Sequence, residues 1–503
     1  MKTFEDFLKE TGEVGHIESI DQSIIKVSGL PQARLNEVVI TESGERGLIT
    51  GIEKNLIEII LLSSESVIVG ERVSRSGQTL KIKVSEELLG RIVNPQAEPI
   101  DGLGPITGHL EVRSVYNTAP GIVERVKVSE QLNTGVSVVD LMVPLGKGQR
   151  QLVLGDQKTG KTTFILQTMA QQAQEGAICI YVGVGKKISD VKQVEDYLKK
   201  MGVFKNCVIV FSSSADPSAQ IFLAPYSGMT IAEYFRGEGK NVVIVIDDLT
   251  NHAKFYREIS LLSRRMPARE SYPGDIFHIH AALLERAGKI KHGDKTVSIT
   301  ALPVVETIQG DLTGYLQTNS MAMTDGHIFF DEAEFKKGRR PGINTSLSVT
   351  RVGNQTQLVL EQNIRKILVE KLNLYKKAQD LAHFGFDLPL KTRTDLNLGE
   401  RLEAVFDQES YTTIPKSVSL LLIGLVLTDF WSSKGIEQVR VERTKFVESY
   451  KQGLLEYFES KIKELDSIQS LEKLIKENEE KIDNLLYSKL KIQERSEEEA
   501  PRS

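Results

Sequence analysis

The sequence predicts a multidomain α/β protein in three parts: a small all-β N-terminal unit, a central α/β unit and a C-terminal helical unit. Three changes of texture along the chain predict it. Short β-branched runs broken by turn residues fill residues 13–81. Apolar runs alternating with helical patterns fill 82–356, and apolar residues at three- and four-residue steps dominate from 357 onward. The domain boundaries expected from this reading are 1–81, 82–356 and 357–503.

In the first part, "SIIKVSGL", "NEVVITESG", "GLITGI", "LIEIILLSS" and "SVIVGERV" alternate or cluster Val and Ile between turns. Turn residues recur at roughly ten-residue intervals, the pattern of a small β-barrel or sandwich. In the second part, "RQLVLG", "AICIYVGVG", "CVIVFSS", "NVVIVIDD" and "TVSITALPVV" are near-continuous apolar runs. Strands of that kind suit a parallel sheet covered on both faces. The segments between them, such as "TTFILQTMAQQAQEG", have helical spacing and end in glycine. In the third part, Leu360, Ile364, Ile367, Leu368 and Leu372 mark an amphipathic helix. The charged stretch from Phe458 to Gln493 reads as a solvated pair of bundle helices, and 494–503 as a frayed end.

Bulk composition excludes several classes. A net charge of -5 with balanced Lys/Arg and Asp/Glu argues against a nucleic-acid binder. The two cysteines, Cys179 and Cys207, lie in apolar runs and read as small buried hydrophobes, which points to a reducing compartment. The N-terminal stretch carries acidic residues and no long apolar core, unlike a secretory signal. The longest apolar run, Val418 to Leu427, is about half of the ~20 residues that a membrane helix needs, and reads as a buried helix.

The chemistry concentrates in "GDQKTGKTT", Gly155 to Thr163. Gly155, Gly160, Lys161 and Thr162 have the spacing of a phosphate loop. Its glycines let backbone N–H groups turn toward phosphate oxygens, its lysine reaches the terminal phosphates, and its hydroxyl ligates Mg²⁺. A strand precedes the loop and a helix follows, so the helix N-terminus adds positive potential beneath the anion. Asp156, Gln157, Lys158, Thr159 and Thr163 complete the expected contact set for ATP or ADP. Asp247 ends the strand "NVVIVID" and is the expected partner of the magnesium ion, with Asp248 as the helix cap.

Hydrolysis further needs a group that positions or activates water. The run "AICIYVGVG", taken as the strand beside the loop, leads instead into Lys186 and Lys187. Neither is a base at neutral pH unless its pKa is strongly depressed. Asp190 and Glu306 are the carboxylates that could arrive from elsewhere. The simplest reading is a site that holds ATP firmly and hydrolyses it poorly. His278 and His280 lack a third histidine or cysteine to complete a metal site, and read as surface or core residues.

Longer motifs carry a resemblance. These are "TGVSVVDLMVPLGKGQR", "GDQKTGKT", "DDLTNHAKFYREISLLSRRMPARESYPGDIFHIHAALLERA", "SITALPVVET", "TDGHIFF", "GRRPGIN" and "LSVTRVG". Through them the chain resembles the alpha subunit of the bacterial F-type rotary ATP synthase over nearly its full length. The resemblance implies an N-terminal β-barrel, a central RecA-like P-loop nucleotide-binding domain and a C-terminal α-helical domain. It implies a non-catalytic subunit that holds a Mg-nucleotide and alternates with the catalytic beta subunit in a hexamer. The central-stalk gamma subunit and the peripheral-stalk delta and b subunits are the further partners implied. The chain would then lie at the cytoplasmic face of the cell membrane, reaching the membrane only through the complex. By motif, Arg351 is the arginine finger offered to the beta subunit's ATP, and Ser348 begins the segment at that interface. Arg340 and Pro341 match an adenine-pocket wall, and Gln408 a base-side glutamine.

Several positions depart from the family's pattern. Gln157 and Lys158 stand where Arg-Gln is usual. Lys186 stands where alpha subunits usually carry Gln and beta subunits the catalytic Glu. Ala322 replaces a typical serine, Ser410 a second base-side glutamine, and the segment before "GEVGHIES" is short for a peripheral-stalk contact. A different class remains open: a self-sufficient RecA-like hexameric ATPase, such as a Rho-like helicase or a protein-export ATPase. A Rho-like helicase needs aromatic and basic residues for RNA in its N-terminal domain, and the N-terminal strands here have almost no aromatics.

Overall fold

The structure is a computed structural model that describes residues 3–63, 67–383, 389–428 and 430–486. The expected frayed end and the last residues of the expected helix pair fall outside these. The chain divides into two compact units. The first comprises Met1–Val128, Lys147–Lys161 and Gln172–Ile328, and the second Ser129–Gly146, Thr162–Gln171 and Phe329–Ser503.

The first unit opens with a short helix, Phe4–Thr11, which the sequence reading did not foresee. Thr3 and Asp6 form its capping box, and Gly12, at φ +67°, ends it in the left-handed conformation. Six strands follow: β1 (Val14–Asp21), β2 (Ile24–Ser28), β3 (Glu37–Thr41), β4 (Arg46–Ile52), β5 (Ile57–Leu61) and β6 (Arg72–Thr79). They close in the order β1-β2-β5-β4-β3-β6, so the all-β unit is a barrel and not a sandwich. Ile17, Ile25, Val27, Val39, Ile49, Ile59 and Val73 fill its interior. The alternation seen in the sequence is the inside–outside alternation of these strands.

The same unit holds a parallel sheet. Arg91–Val93, Cys207–Ser213, Ile178–Lys186, Val242–Asp247, Lys295–Glu306 and Leu152–Gly155 lie side by side in that order. Gly288–His292 adds an antiparallel neighbour to Lys295–Glu306. Almost every residue of the inner strands is buried, which is why they read as unbroken Val/Ile runs. Cys179 and Cys207 are buried, neither in a disulfide, and lie opposite each other on adjacent strands. One expectation is corrected. The strand beside the phosphate-loop strand is Lys295–Glu306, with Gly155 opposite Glu306, and Ile178–Lys186 lies two strands further on. Parallel strands of similar apolar composition carry no signal of their order in the sheet.

His280 is fully buried in the helix Ile276–Glu285 against His252, while His278 on the same helix is exposed. His252 Nε2 lies 3.0 Å from the Phe222 carbonyl, and its Nδ1 lies 2.9 Å from His280 Nε2. A carbonyl only accepts, so in the neutral pair His252 carries its proton on Nε2 and His280 donates from Nε2. His280 Nδ1 is then an acceptor, buried without a protein partner. Burial pushes the His252 pKa down to about 4 and that of His280 well below its ordinary value. In the unfolded chain both protonate near pH 6.5, whereas in the folded chain they stay neutral. The unfolded state therefore binds more protons from about pH 6.5 downward, and stability falls as pH falls through that window. Acidification from pH 7 to pH 5 is expected to cost about 2 kcal/mol per histidine. Denaturation midpoints at the two pH values, compared between the wild-type chain and His252→Gln, read this directly. An unchanged pH dependence in the variant would contradict it.

The second unit is helical in its C-terminal part: Val359–His383, Leu390–Phe406, Lys416–Leu427, Ile436–Lys451, Glu456–Lys463 and Ile468–Glu477. The apolar run from Val418 is buried throughout Lys416–Leu427, as its composition requires. Gly424 lets that helix approach closely, since a Cβ there would lie 2.8 Å from Ile475 and 2.9 Å from Leu471. Among the described residues, no helix is long and apolar enough to cross a membrane.

Candidate nucleotide site

The loop Gly155–Lys161 leaves the strand Leu152–Gly155 and enters the helix Lys161–Gln174. Gly160 turns at φ +101°, a backbone conformation that a side chain would strain, and Lys158 also sits at positive φ, +62°. Lys161 is buried, and its Nζ donates to the carbonyls of Gly155 (2.8 Å) and Asp156 (2.6 Å). Burial is the main influence lowering the Lys161 pKa. Lys186 adds to it, and Glu306, Asp247 and Asp248 pull the other way. Lys161 is thus the point on which the surrounding charges converge.

The other loop side chains divide into two groups. The Asp156 carboxylate accepts from the Thr307 hydroxyl and from Gly310 N (2.9 Å), tying the loop to the chain just after Lys295–Glu306. Thr159 donates to the Asp156 carbonyl at 2.7 Å and is buried. Gln157 and Lys158 are exposed, and Gln157 Nε2 donates to Glu306 Oε2 at 3.0 Å. Thr162 and Thr163, in the first turn of the helix, are exposed and half-buried.

Asp247 and Asp248 sit at the end of Val242–Asp247, both buried. Lys186 Nζ bridges them, 2.8 Å from Asp247 Oδ1 and 2.9 Å from Asp248 Oδ2. The second oxygen of Asp247 accepts from the Tyr181 hydroxyl at 2.8 Å. The second oxygen of Asp248 accepts from Asn251 N at 2.6 Å, which caps the helix Leu249–Leu262. All four carboxylate oxygens are therefore engaged by protein groups. Burial pushes the Tyr181 phenol well up and Asp247 reinforces this, so Tyr181 remains the donor. Burial alone would lower Lys186, but the two aspartates outweigh it and its pKa is raised. Lys186 is then a permanent cation and no base. Tyr181 was not singled out in the sequence, where it is one more residue of an apolar strand.

These donors test the expected magnesium ion. A carboxylate ligand of the ion offers it an uncommitted, negatively charged oxygen. Asp247 offers none, because an ammonium and a phenol already occupy it. Among the described residues no group of three or more His, Cys, Asp or Glu is placed to hold a metal. The residues as arranged do not fit the ion at Asp247. Of the two alternative carboxylates, Asp190 is exposed in the first turn of the helix Ile188–Lys200. Glu306 lies beside the loop, opposite Gly155 and bonded to Gln157.

The second unit places the remaining candidates. Asp140 accepts from Thr134 N (2.7 Å) and Gly135 N (3.1 Å) and so fixes that turn. Gln408 is buried against it, with Nε2 donating to Gly135 O (2.7 Å) and Oε1 accepting from Ser137 N (3.2 Å). Its backbone N donates to Arg340 O at 2.6 Å, bringing Gln408 and the Arg340–Pro341 pair together. Arg340 and Pro341 line a cavity of ≈ 780 Å³ with Tyr375, Glu403 and Asp407. The Arg340 guanidinium lies 3.6 Å from the Phe335 ring centre. Ser348 Oγ accepts from Phe329 N (3.0 Å) and donates to Asn344 O (2.8 Å). Arg351 follows the short strand Val349–Thr350 and is exposed. The turn around it is anchored on both sides. Thr350 donates to Pro144 O at 2.9 Å, and Gly353 packs so closely on that carbonyl that a Cβ would lie 1.7 Å from it.

A closed barrel, a parallel sheet whose phosphate loop opens a helix, and a helical C-terminal region define a multidomain phosphate-loop nucleotide-binding protein. Residues 135–350 match the family model described as "ATP synthase alpha/beta family, nucleotide-binding domain". Residues 361–488 match "ATP synthase alpha/beta chain, C terminal domain". The chain is 38% identical over 464 residues to the ATP synthase subunit alpha of Ligilactobacillus salivarius (strain UCC118), covering 92% of this chain and 90% of that protein. The chain belongs to the ATP synthase alpha/beta family, and the resemblance to the F-type alpha subunit holds over nearly its full length.

Proposed function

We propose that this chain is the non-catalytic, nucleotide-binding regulatory alpha subunit of an F-type ATP synthase. It holds ATP or ADP on Gly155–Thr163 and lends Arg351 to the catalytic site of a neighbouring beta subunit. The complex would make or split ATP in step with transmembrane ion transport, at the cytoplasmic face of the cell membrane. Its partners would be beta in an alternating hexamer, gamma in the central stalk, and delta and b in the peripheral stalk. Ser348 belongs to this reading as the residue that orders the segment leading to Arg351. Arg340, Pro341 and Gln408 are its base-side residues, and no step is routed through magnesium at Thr162 and Asp247.

The observation that carries the non-catalytic reading is Lys186, an ion-paired cation at the position where the family resemblance puts the beta subunit's catalytic Glu. Glu306 beside the loop favours a second reading, the self-sufficient hexameric ATPase. In the first reading Glu306 braces Gln157, and Glu306→Gln leaves the chain as inactive alone as before. In the second, the chain alone turns ATP over and Glu306→Gln stops it.

Nucleotide holding itself is tested at Lys161. Its ammonium is the buried cation of the loop, and charge-assisted hydrogen bonds to phosphate are each worth about 1.5–3 kcal/mol. Lys161→Ala is expected to weaken ATP binding by roughly a hundredfold or more, read by equilibrium dialysis of the full chain. Equal affinity in the variant would contradict the site.

A further inference from the structure

The same site carries an inference that rests on the nucleotide-holding reading and goes beyond it. We propose that this chain holds its nucleotide without a divalent metal, with the Lys186 ammonium taking the place of the cation at Asp247. Three observations converge. The ammonium lies 2.8 and 2.9 Å from the two carboxylates at the end of the strand, where an acidic residue would otherwise face a metal. The remaining carboxylate oxygens are taken by Tyr181 and by the helix cap at Asn251. The cluster lies within electrostatic reach of Lys161, the lysine of the phosphate loop.

The charges explain why a metal is disfavoured. A divalent ion entering beside Asp247 must displace a half-buried ammonium from two buried carboxylates, or sit close to it as a like charge. Either is costly where the effective dielectric is low. A nucleotide bearing free phosphates meets no such conflict. It finds Lys161 and the loop N–H groups, with Lys186 behind them offsetting the charge of Asp247 and Asp248. Lys158, exposed on the loop, offers a further cation. Replacement of Lys186 by the neutral amide usual in alpha subunits would leave the two carboxylates uncompensated and recreate a place for a divalent ion.

The experiment measures equilibrium ATP binding by the purified full chain in excess EDTA and in millimolar Mg²⁺. The wild-type chain is expected to bind ATP more tightly in EDTA than in Mg²⁺, roughly tenfold or more, because the ion draws free nucleotide into a complex that the site does not take. Lys186→Gln is expected to bind at least about tenfold more weakly in EDTA than in Mg²⁺. With Mn²⁺ as the probe, paramagnetic resonance should count one bound ion per nucleotide in Lys186→Gln and none in the wild-type chain. If Lys186→Gln does not fold, Asp247→Asn serves. It removes one negative charge and is expected to bind metal-free ATP at least as tightly as the wild-type chain, whereas a new requirement for Mg²⁺ would overturn the proposal. Loss of wild-type binding in EDTA would overturn it too, while leaving nucleotide holding intact. Lys186→Gln that still binds ATP at least as tightly in EDTA as in Mg²⁺ would show that the ammonium is not the substitute. Absence of ATP binding under both conditions would instead sink the nucleotide-holding reading itself.

Discussion

Arg351→Ala is expected to lower steady-state ATP hydrolysis by the reconstituted complex by about three to five orders of magnitude. In the proposed arrangement the guanidinium brings positive charge to a phosphoryl group in transfer on the neighbouring subunit. That charge matters most when negative charge spreads over the equatorial oxygens, so the loss falls on the turnover rate more than on substrate affinity. The surroundings of Arg351 suit the role. Thr350 and Gly353 fix the backbone on either side against Pro144, so the exposed side chain extends from a rigid turn. Such anchoring keeps small the entropy lost when the finger docks. Arg351→Lys keeps the charge but loses the planar fork, and is expected to recover little activity. ATP binding by the chain's own loop should be unchanged in both variants. Comparable hydrolysis by the wild-type and Arg351→Ala complexes would remove the finger from the account.

Arg286→Met is expected to destabilise the first unit by about 3–5 kcal/mol. Arg286 is 1% exposed and holds Glu233 through two bonds, Nε to Oε1 at 2.8 Å and Nη2 to Oε2 at 2.7 Å. Its remaining donors reach Val115 O and Thr230 Oγ1, both at 2.9 Å. Removing the guanidinium strands a buried carboxylate that also accepts from Asn117 Nδ2 at 2.8 Å. Replacing both ends, Arg286→Met with Glu233→Met, removes the stranded charge and is expected to recover most of the loss. Denaturant midpoints of the wild-type chain, the single variant and the double variant read this. A single variant no worse than the double would show that the pair is not what makes the site costly to disturb.

The two kinds of β-structure were legible because burial leaves different patterns. Barrel strands face solvent on one side, so polar and apolar residues alternate around Ile25 and Val27. Sheet strands such as Val242–Asp247 are covered on both sides, so the run is apolar to its last residue. The phosphate loop was legible because its glycines and lysine serve backbone and charge requirements at fixed spacing. The order of the strands was not, which is why Glu306 emerged beside the loop where Lys186 had been expected. Nor was the arrangement of Lys186, Tyr181, Asp247 and Asp248. Tyr181 and Lys186 come from one strand, Asp247 from another and Asp248 from the helix cap after it, and they pair over more than sixty positions of sequence. Each had a separate reading when taken locally: a lysine where a carboxylate was sought, a core aromatic, a metal ligand and a helix cap. Only their meeting shows that the lysine and the metal compete for the same carboxylates. Gln408 is similar, since its amide is committed to Gly135 and Ser137, residues far away in sequence.

The most direct test of the central claim, that this chain holds nucleotide and leaves the chemistry to a partner, is phosphate release from radiolabelled ATP by the purified chain alone. The account predicts that ATP stays bound and intact over many turnover times of the complex, with phosphate appearing once the catalytic partner subunit is added. Sustained phosphate release by the chain without a partner would contradict it.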